Sequence, residues 1–199
     1  MRPLFLAALF LIAPLAAPGT ASAADWSIDA SHSNVGFKVR HMMVSWTRGS
    51  FGKVDGRVAY EPGKAESLAV DVTIDVASVD TENEKRDEHL RSPDFFDVAN
   101  HPTMTFKSSK ATAEKDGSIA LVGTLTLKGV SKEVTLSVDP ISDVMTDPWG
   151  NTKVGTSATI RIDRKDFGLT WNKTLDGGGV VVGDEVRISI DVELNQKKQ

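Results

Sequence analysis

The sequence contains no cysteine and only one tyrosine among its 199 residues. Without cysteine the protein has neither disulfides nor thiolate metal sites, so its stability must come from packing and hydrogen bonds. After the first 23 residues there is no second long apolar run, which predicts no integral membrane segment in the remainder. The sequence also lacks a long basic cluster and has a net charge of −4, which argues against nucleic acid as a partner.

Motifs that carry catalysis or bind metals are missing as well. There is no Gly-x-Ser-x-Gly elbow for a nucleophilic serine, and the spacing of the carboxylates assigns no acid–base pair. The four histidines, His32, His41, His89 and His101, are far apart and form neither His-x-His nor His-Glu-x-x-His. The sequence therefore predicts no metal site, no cofactor and no catalytic residue.

The N-terminus has the features of a secretory signal peptide. Arg2 precedes an apolar run over residues 4–17, and Ala21-Ser22-Ala23 provides a small-x-small cleavage site. The run is too short to span a bilayer, and Pro14 interrupts it. We therefore predict a signal peptide over residues 1–23 and an exported domain over residues 24–199 with a net charge of −5.

From Ser33 onward, apolar residues recur at every second position, as half-buried strands require. The clearest case alternates Leu68, Val70, Val72 and Ile74 with polar residues. Turn residues such as Lys128-Gly129 separate the alternating segments. About eight such segments with short turns predict an antiparallel sheet, and closure into a barrel would remove its exposed edges.

One charged segment departs from the strand pattern. Residues 81–90 predict a short helix with Asp80 or Thr81 as its N-cap. Asp87 and Arg91 are four positions apart and are expected to pair. The adjacent aromatics in Asp94-Phe95-Phe96-Asp97 cannot share one strand face, so at least one of them is expected to cover an end of the barrel.

A series of motifs along the whole exported chain resembles the YceI-like family of periplasmic, polyisoprenoid-binding barrels. The resemblance rests on Ser31-His32-Ser33, Gly49-Ser50-Phe51, His101-Pro102, Arg164-Lys165-Asp166-Phe167-Gly168, and residues 26–29, 35–42, 78–81, 86–97, 123–132 and 182–186. It implies an all-β, eight-stranded antiparallel lipocalin-like barrel with an elongated apolar cavity and one or two short helices. It further implies a non-catalytic, homodimeric periplasmic carrier of a polyprenyl phosphate or of the isoprenoid tail of a quinone.

Apolar residues of the predicted strands are the expected cavity lining. Small residues such as Gly36 and Gly123 on these strands are expected to leave room for a slender ligand. The predicted lining residues are Val35, Phe37, Val39, Phe51, Leu68, Val70, Val72, Ile74, Phe106, Leu121, Leu125, Ile188 and Ile190.

Four polar residues are candidate contacts for a ligand head group: His41, Arg86, His89 and Arg91. Guanidinium groups bind phosphate oxygens through paired hydrogen bonds, while a solvated helix face and a structural His41 remain open alternatives. Two other functions also remain open. One is a non-catalytic adaptor barrel that is filled by its own side chains and acts through its surface. The other is an enzyme acting on a lipid head group.

Overall fold

The computed structural model describes residues 23–196, where one antiparallel sheet and a single α-helix dominate. Apart from Ala23, the predicted signal peptide lies outside the described residues. Two 3-10 helices, Val76–Ser78 and Arg164–Phe167, lie between strands. The α-helix is α1 (Glu84–Arg91), and the strands are β1 (Ala24–Ile28), β2 (Asn34–His41), β3 (Ser45–Phe51), β4 (Val54–Glu61), β5 (Lys64–Asp75), β6 (Val79–Asp80), β7 (Thr103–Ala113), β8 (Ile119–Leu127), β9 (Val130–Val138), β10 (Met145–Thr146), β11 (Thr152–Asp163) and β12 (Val182–Gln196).

Eight of these strands close into a ring. Its order is β1, β4, β5, β7, β8, β9, β11 and β12, and β12 pairs with β1 to complete the circle. The predicted eight-stranded antiparallel barrel is therefore confirmed. Closure satisfies the backbone groups that an open sheet would expose at its edges.

The β2–β3 hairpin extends one side of this ring. β12 pairs with β1 near its C-terminal end and with β2 between Val182 and Asp191. Residues 29–33 interrupt β1 and β2, and residues 52–53 interrupt β3 and β4. Strands β1 and β2 therefore form one arm of a long, interrupted hairpin, and β3 and β4 form the other arm. Its turn, at residues 42–44, lies beyond the start of β12.

The apolar residues form two clusters, one toward each end of the barrel. At the Trp26 end, the Trp26 ring is fully buried and its Nε1 donates to the Tyr60 carbonyl over 3.0 Å. At the other end, which we call the helix end, Phe51, Phe95 and Phe167 belong to one buried cluster, to which α1 contributes Leu90 and the second 3-10 helix contributes Phe167. Burial of these large rings stabilises both ends of the ring.

The helix is shorter than predicted, and its cap is a different residue. α1 begins at Glu84, and the side chain of Asn83 accepts the Arg86 N–H over 3.0 Å. The prediction of Asp80 or Thr81 as the N-cap is therefore wrong. Thr81 is buried and directs its hydroxyl to the Asp87 carboxylate instead.

Candidate functional site

The interior of the barrel contains a cavity of about 420 Å³. All eight strands of the ring, together with β2 and β3, contribute side chains to its wall. Its volume lies in the range of about 300–1,000 Å³ typical of small-molecule sites. The alternative of a barrel filled by its own side chains is therefore wrong.

Every residue that the sequence predicted as lining lies on the wall of this cavity. That they contact a ligand stays a prediction. They are Val35, Phe37, Val39, Phe51, Leu68, Val70, Val72, Ile74, Phe106, Leu121, Leu125, Ile188 and Ile190.

Sequence reasoning missed other parts of the wall. Ile160 and Ile162 on β11 line the cavity and follow the same period-two pattern as their neighbours, so the alternation was sufficient to find them. Leu169 and Trp171 also line it but follow a 3-10 helix in an irregular segment. No periodic signal marks residues of that kind.

The two glycines do not leave room in the way the sequence suggested. An added Cβ at Gly123 would lie 2.6 Å from Cζ of Phe106, so that ring already uses the space beside the glycine. At Gly36 an added Cβ would meet the side chains of Asn34 and Ser189, residues on the outward-facing register of the sheet. The cavity therefore results from the width of the barrel rather than from these glycines.

Six polar or charged lining residues gather at the helix end, while Ser33, Thr156 and Asp191 border the cavity elsewhere and Arg40 borders it from β2. These six come from β2, β3, α1, the segment before α1 and the second 3-10 helix. This end can therefore receive a polar head group while the rest of the wall holds an apolar tail. The residues are His41, Thr47, Thr81, Arg86, His89 and Arg164.

A chain of hydrogen bonds holds Arg86 at this end. The buried Asp87 carboxylate accepts the Thr81 N–H over 2.9 Å and also accepts the Thr81 hydroxyl. Arg86 Nε donates to Thr81 Oγ1, and Arg86 Nη2 donates to the Thr81 carbonyl, each over 2.7 Å. The guanidinium is thus held in place by neutral partners and keeps its positive charge beside the cavity.

The predicted pairing of Asp87 with Arg91 is wrong, because the two side chains have different partners. Arg91 Nε donates to the Ala77 carbonyl over 2.9 Å, and Nη2 donates to the Val79 carbonyl over 2.8 Å. Arg91 is not part of the cavity wall. Of the four predicted head-group contacts, the structure brings His41, Arg86 and His89 to the cavity and leaves Arg91 fastening α1 to the barrel.

Aromatic rings surround His89 at the cavity. Its ring lies edge-on to Phe95 and to Trp171, with centroid distances of 5.0 and 4.9 Å, and its Nε2 lies 3.0 Å from the Asp94 carboxylate. Phe95 and Phe96 are both buried and both line the cavity. Phe96 N–H donates to the Leu90 carbonyl, so the pair lies next to α1; that at least one of the two covers this end of the barrel stays a prediction.

Arg164 fixes the corner at which β11 ends. Its buried guanidinium donates to the carbonyls of Leu169, Trp171 and Gly183, and it pairs with Asp184 over 3.2 Å. Burial lowers the pKa of Arg164, and the Asp184 carboxylate opposes this change. These contacts make Arg164 a structural residue of this corner.

At the Trp26 end the structure assembles a charged cluster that the sequence did not reveal. Lys153 Nζ lies 2.7 Å from Asp29 and 3.1 Å from Glu193, and His32 Nδ1 lies 3.0 Å from Asp29. The hydrogen bond from Lys153 is the largest cause that holds the pKa of Asp29 well below its usual range. Because the Lys153 ammonium contacts both carboxylates, the cluster works as an ion-pair network. That the chain binds no metal stays a prediction.

Comparisons with known proteins place this geometry among related barrels. Residues 26–194 match the YceI-like domain. A UPF0312 protein of Vibrio cholerae is 37% identical over 166 residues, which cover 82% of this chain and 87% of that protein. The crystal structure of Burkholderia cenocepacia BcnA has a TM-score of 0.71 at 27% identity and covers 83% of this chain and 98% of its own.

A third similar protein is a domain from Saccharophagus degradans, described as polyisoprenoid-binding and implicated in plant cell wall breakdown. It has a TM-score of 0.64 at 18% identity and covers 88% of this chain and 99% of its own. At this identity the likeness concerns the fold. Within residues 23–196, no helix is long and apolar enough to cross a membrane.

Proposed function

Since this chain belongs to the YceI-like family, we propose that it is a periplasmic carrier of a polyisoprenoid lipid. The tail lies in the barrel, and the head group lies at the helix end. The activity is binding and release, without turnover. The ligand class is a polyprenyl phosphate or the isoprenoid tail of a quinone.

The single observation that carries this proposal is the apolar cavity that runs inside the closed ring. Ile188 and Ile190 from one side and Val70 and Val72 from the other line it with aliphatic surface. Each buried methylene contributes about 0.8 kcal/mol, so a few isoprene units offset the several kcal/mol lost on association. A flexible, purely apolar chain therefore suits this wall better than a polar metabolite does.

The polar helix end supports a ligand with a charged or hydrogen-bonding head. Arg86 offers a guanidinium already fixed by Thr81, and guanidinium groups bind phosphate oxygens in a paired geometry. His41, at the end of β2, faces the same cavity. A phosphate or a quinone ring at this end would leave the tail directed toward the Trp26 end.

The location, the oligomeric state and the ligand class each have a separate basis. Periplasmic location rests on the signal-peptide pattern of residues 1–23. The homodimer rests on the family resemblance and is checked by light scattering on the purified protein. The polyisoprenoid-binding description of the Saccharophagus domain supports the ligand class.

The first test is native mass spectrometry, with organic extraction and lipid analysis, of protein purified from the periplasm of its own host. We expect a co-purifying prenyl lipid at near-stoichiometric occupancy. Protein that is empty and also fails to take up long-chain quinone or polyprenyl phosphate would overturn the proposal. Release of inorganic phosphate from a bound polyprenyl diphosphate would instead favour the enzyme alternative.

A matched pair of variants tests whether the cavity is the site. Ile188→Trp places a large ring in the cavity, whereas Ser189→Trp places the same ring on the outer face of the same strand. We expect the first variant to lose most of its bound lipid and the second to keep it. Equal retention by two folded variants, checked by circular dichroism, would show that the lipid binds elsewhere.

A further inference from the structure

A row of positive charges crosses the outer wall of the barrel. Arg48, Lys38, Arg187 and Arg161 lie directly opposite one another on β3, β2, β12 and β11. Their strand neighbours, among them Thr47, Val39, Ile188 and Ile162, line the cavity, so the four charged side chains face outward. We call these four residues the cationic row.

Trp46 draws cations of this row together. It lies opposite Arg40 on the outer face of the β2–β3 hairpin. Its ring centroid is 4.2 Å from Arg40 Cζ, 4.9 Å from Arg187 Cζ and 5.2 Å from Lys38 Nζ. Cation–π attraction offsets part of the repulsion between like charges on neighbouring strands, and the indole lies at the centre of a positive surface.

This positive surface has little compensating negative charge. Glu185 accepts from Arg187 Nε over 2.7 Å. Within residues 23–196, Lys38, Arg40, Arg48 and Arg161 have no carboxylate within 4.0 Å. Because Glu185 compensates only part of this charge, the surface favours a partner that brings negative charge.

The turn of the same hairpin is apolar and exposed. Met42, Met43 and Val44 are 42%, 60% and 80% exposed, and we call them the hairpin tip. Met42 lies two residues after Arg40, and Val44 lies two residues before Trp46. An exposed apolar tip flanked by cations and an indole is the composition of segments that lie in the interface of a membrane.

The inner face of this hairpin belongs to the cavity. Val39, His41 and Thr47 line the helix end, on the opposite face from Lys38 and Trp46. Arg40 also borders the cavity, while its guanidinium lies over the Trp46 ring. A surface that receives the hairpin tip would therefore lie next to the polar end of the cavity. At about 3.3 Å per residue, Lys38 is roughly 13 Å from the tip. For the tip and the cationic row to contact the same surface, the barrel must therefore be inclined, with this outer wall toward that surface.

We propose that the β2–β3 hairpin docks the protein on an anionic phospholipid bilayer. The hairpin tip enters the head-group region, and the cationic row and Arg40 lie against lipid phosphates. The apolar tip argues against nucleic acid, which offers it no apolar environment, and its flanking cations and indole match a segment that lies in a bilayer interface better than a protein contact. The inference goes beyond the proposed function, since the surface would dock whether or not the barrel holds a prenyl chain.

The experiment is vesicle co-sedimentation of lipid-stripped protein with phosphatidylcholine vesicles, with and without phosphatidylglycerol. We expect binding to the anionic vesicles, weakened by salt because charges at a surface are screened. Each removed cation should weaken binding about fivefold, so Arg48→Gln combined with Arg161→Gln should weaken it about 25-fold. Met43→Ser combined with Val44→Ser should also weaken it.

Two control pairs keep the test specific. Lys107→Gln with Lys110→Gln removes the same charge from exposed positions on β7. Val144→Ser with Met145→Ser removes exposed apolar residues at the Trp26 end, where Asp143 and Asp147 are close in sequence. Both control pairs should bind as the unmodified protein does.

Three outcomes would overturn the docking proposal. The first is equal binding of the protein to neutral and anionic vesicles. The second is a loss of vesicle binding in the control pairs as large as in the test pairs. The third is that the protein binds polyuridylic acid or polyglutamate but does not bind anionic vesicles. Prenyl-lipid retention is measured separately on the same variants. If the protein retains prenyl lipid but does not bind vesicles, only this inference is rejected. If it binds vesicles but takes up no prenyl lipid, only the proposed function is rejected.

Discussion

The ring of Phe106 on β7 fills the space beside Gly123 on the neighbouring strand β8. An added Cβ at residue 123 would lie 2.6 Å from Phe106 Cζ and 2.6 Å from the Lys107 carbonyl oxygen. The second contact is with backbone, which cannot move without disturbing the β7–β8 pairing. The glycine is therefore a requirement of packing between two strands of the cavity wall.

We predict that Gly123→Ala destabilises the protein by about 1–3 kcal/mol, the usual cost of overpacking a filled interior. Urea unfolding followed by circular dichroism measures the change. Gly52→Ala is the matched control, because an added Cβ there meets nothing within 4 Å. Unchanged stability of Gly123→Ala would mean that the Phe106 ring and the strand relax freely.

The Asp29–Lys153 pair predicts a loss of stability in acid. Hydrogen bonds from Lys153, Ser31 and His32 lower the pKa of Asp29. A carboxyl group whose pKa is lower in the folded state stabilises the fold above its unfolded pKa of about 3.9, and this contribution disappears as the pH falls below that value. The pKa of Lys153 is raised, so its contribution is lost only above about pH 10.4.

Asp29→Asn should therefore lower stability near pH 7 and make the loss of stability below about pH 4 shallower. Urea unfolding at a series of acidic pH values measures both effects. Asp25→Asn removes an exposed carboxylate that pairs with Arg57, and it controls for the change in net charge. The prediction would be contradicted if the free energy of unfolding fell as steeply with decreasing pH in Asp29→Asn as in the unmodified protein.

Asp87 fastens the segment that precedes α1. Because its buried carboxylate accepts both the N–H and the hydroxyl of Thr81, Asp87→Ala leaves two donors without their partner. We expect a loss of about 1.5–3 kcal/mol, as for hydrogen bonds to charged groups. Thermal unfolding measures it, and Glu88→Ala, an exposed change on the same helix, should stay within about 0.5 kcal/mol of the unmodified protein.

Arg164 is a structural residue that lysine cannot replace. Its planar guanidinium reaches the carbonyls of Leu169, Trp171 and Gly183 in different directions, whereas an ammonium is a point charge on a flexible stem. Arg164→Lys should destabilise the protein by about 1.5–3 kcal/mol. Lys165→Arg, at an exposed neighbour that also pairs with Asp184, should be nearly neutral. Equal stability of both variants would contradict a role that depends on guanidinium geometry.

Much of the fold and of the cavity wall was accessible from alternation. Residues 68–74 and 186–194 alternate, and their large apolar side chains face the cavity because a strand turns successive side chains to opposite faces. The N-cap of α1 was less accessible, since Thr81, Asn83 and the aspartates nearby are all suitable cap residues. The tertiary contact between Thr81 and Asp87 removes Thr81 from the candidates, and Asn83 accepts the Arg86 N–H as the cap.

Local period-two patterns and turns were enough to predict the antiparallel strands and the apolar wall, whereas closure of the ring depends on pairing of β1 with β12. The tertiary structure alone decided which distant side chains meet. No basic cluster is visible along the chain, yet residues 48, 38, 187 and 161 form one row on the barrel. Likewise, Asp29 meets Lys153 and Glu193 across the Trp26 end. The physical reason is strand register, which is fixed by pairing between segments remote in sequence.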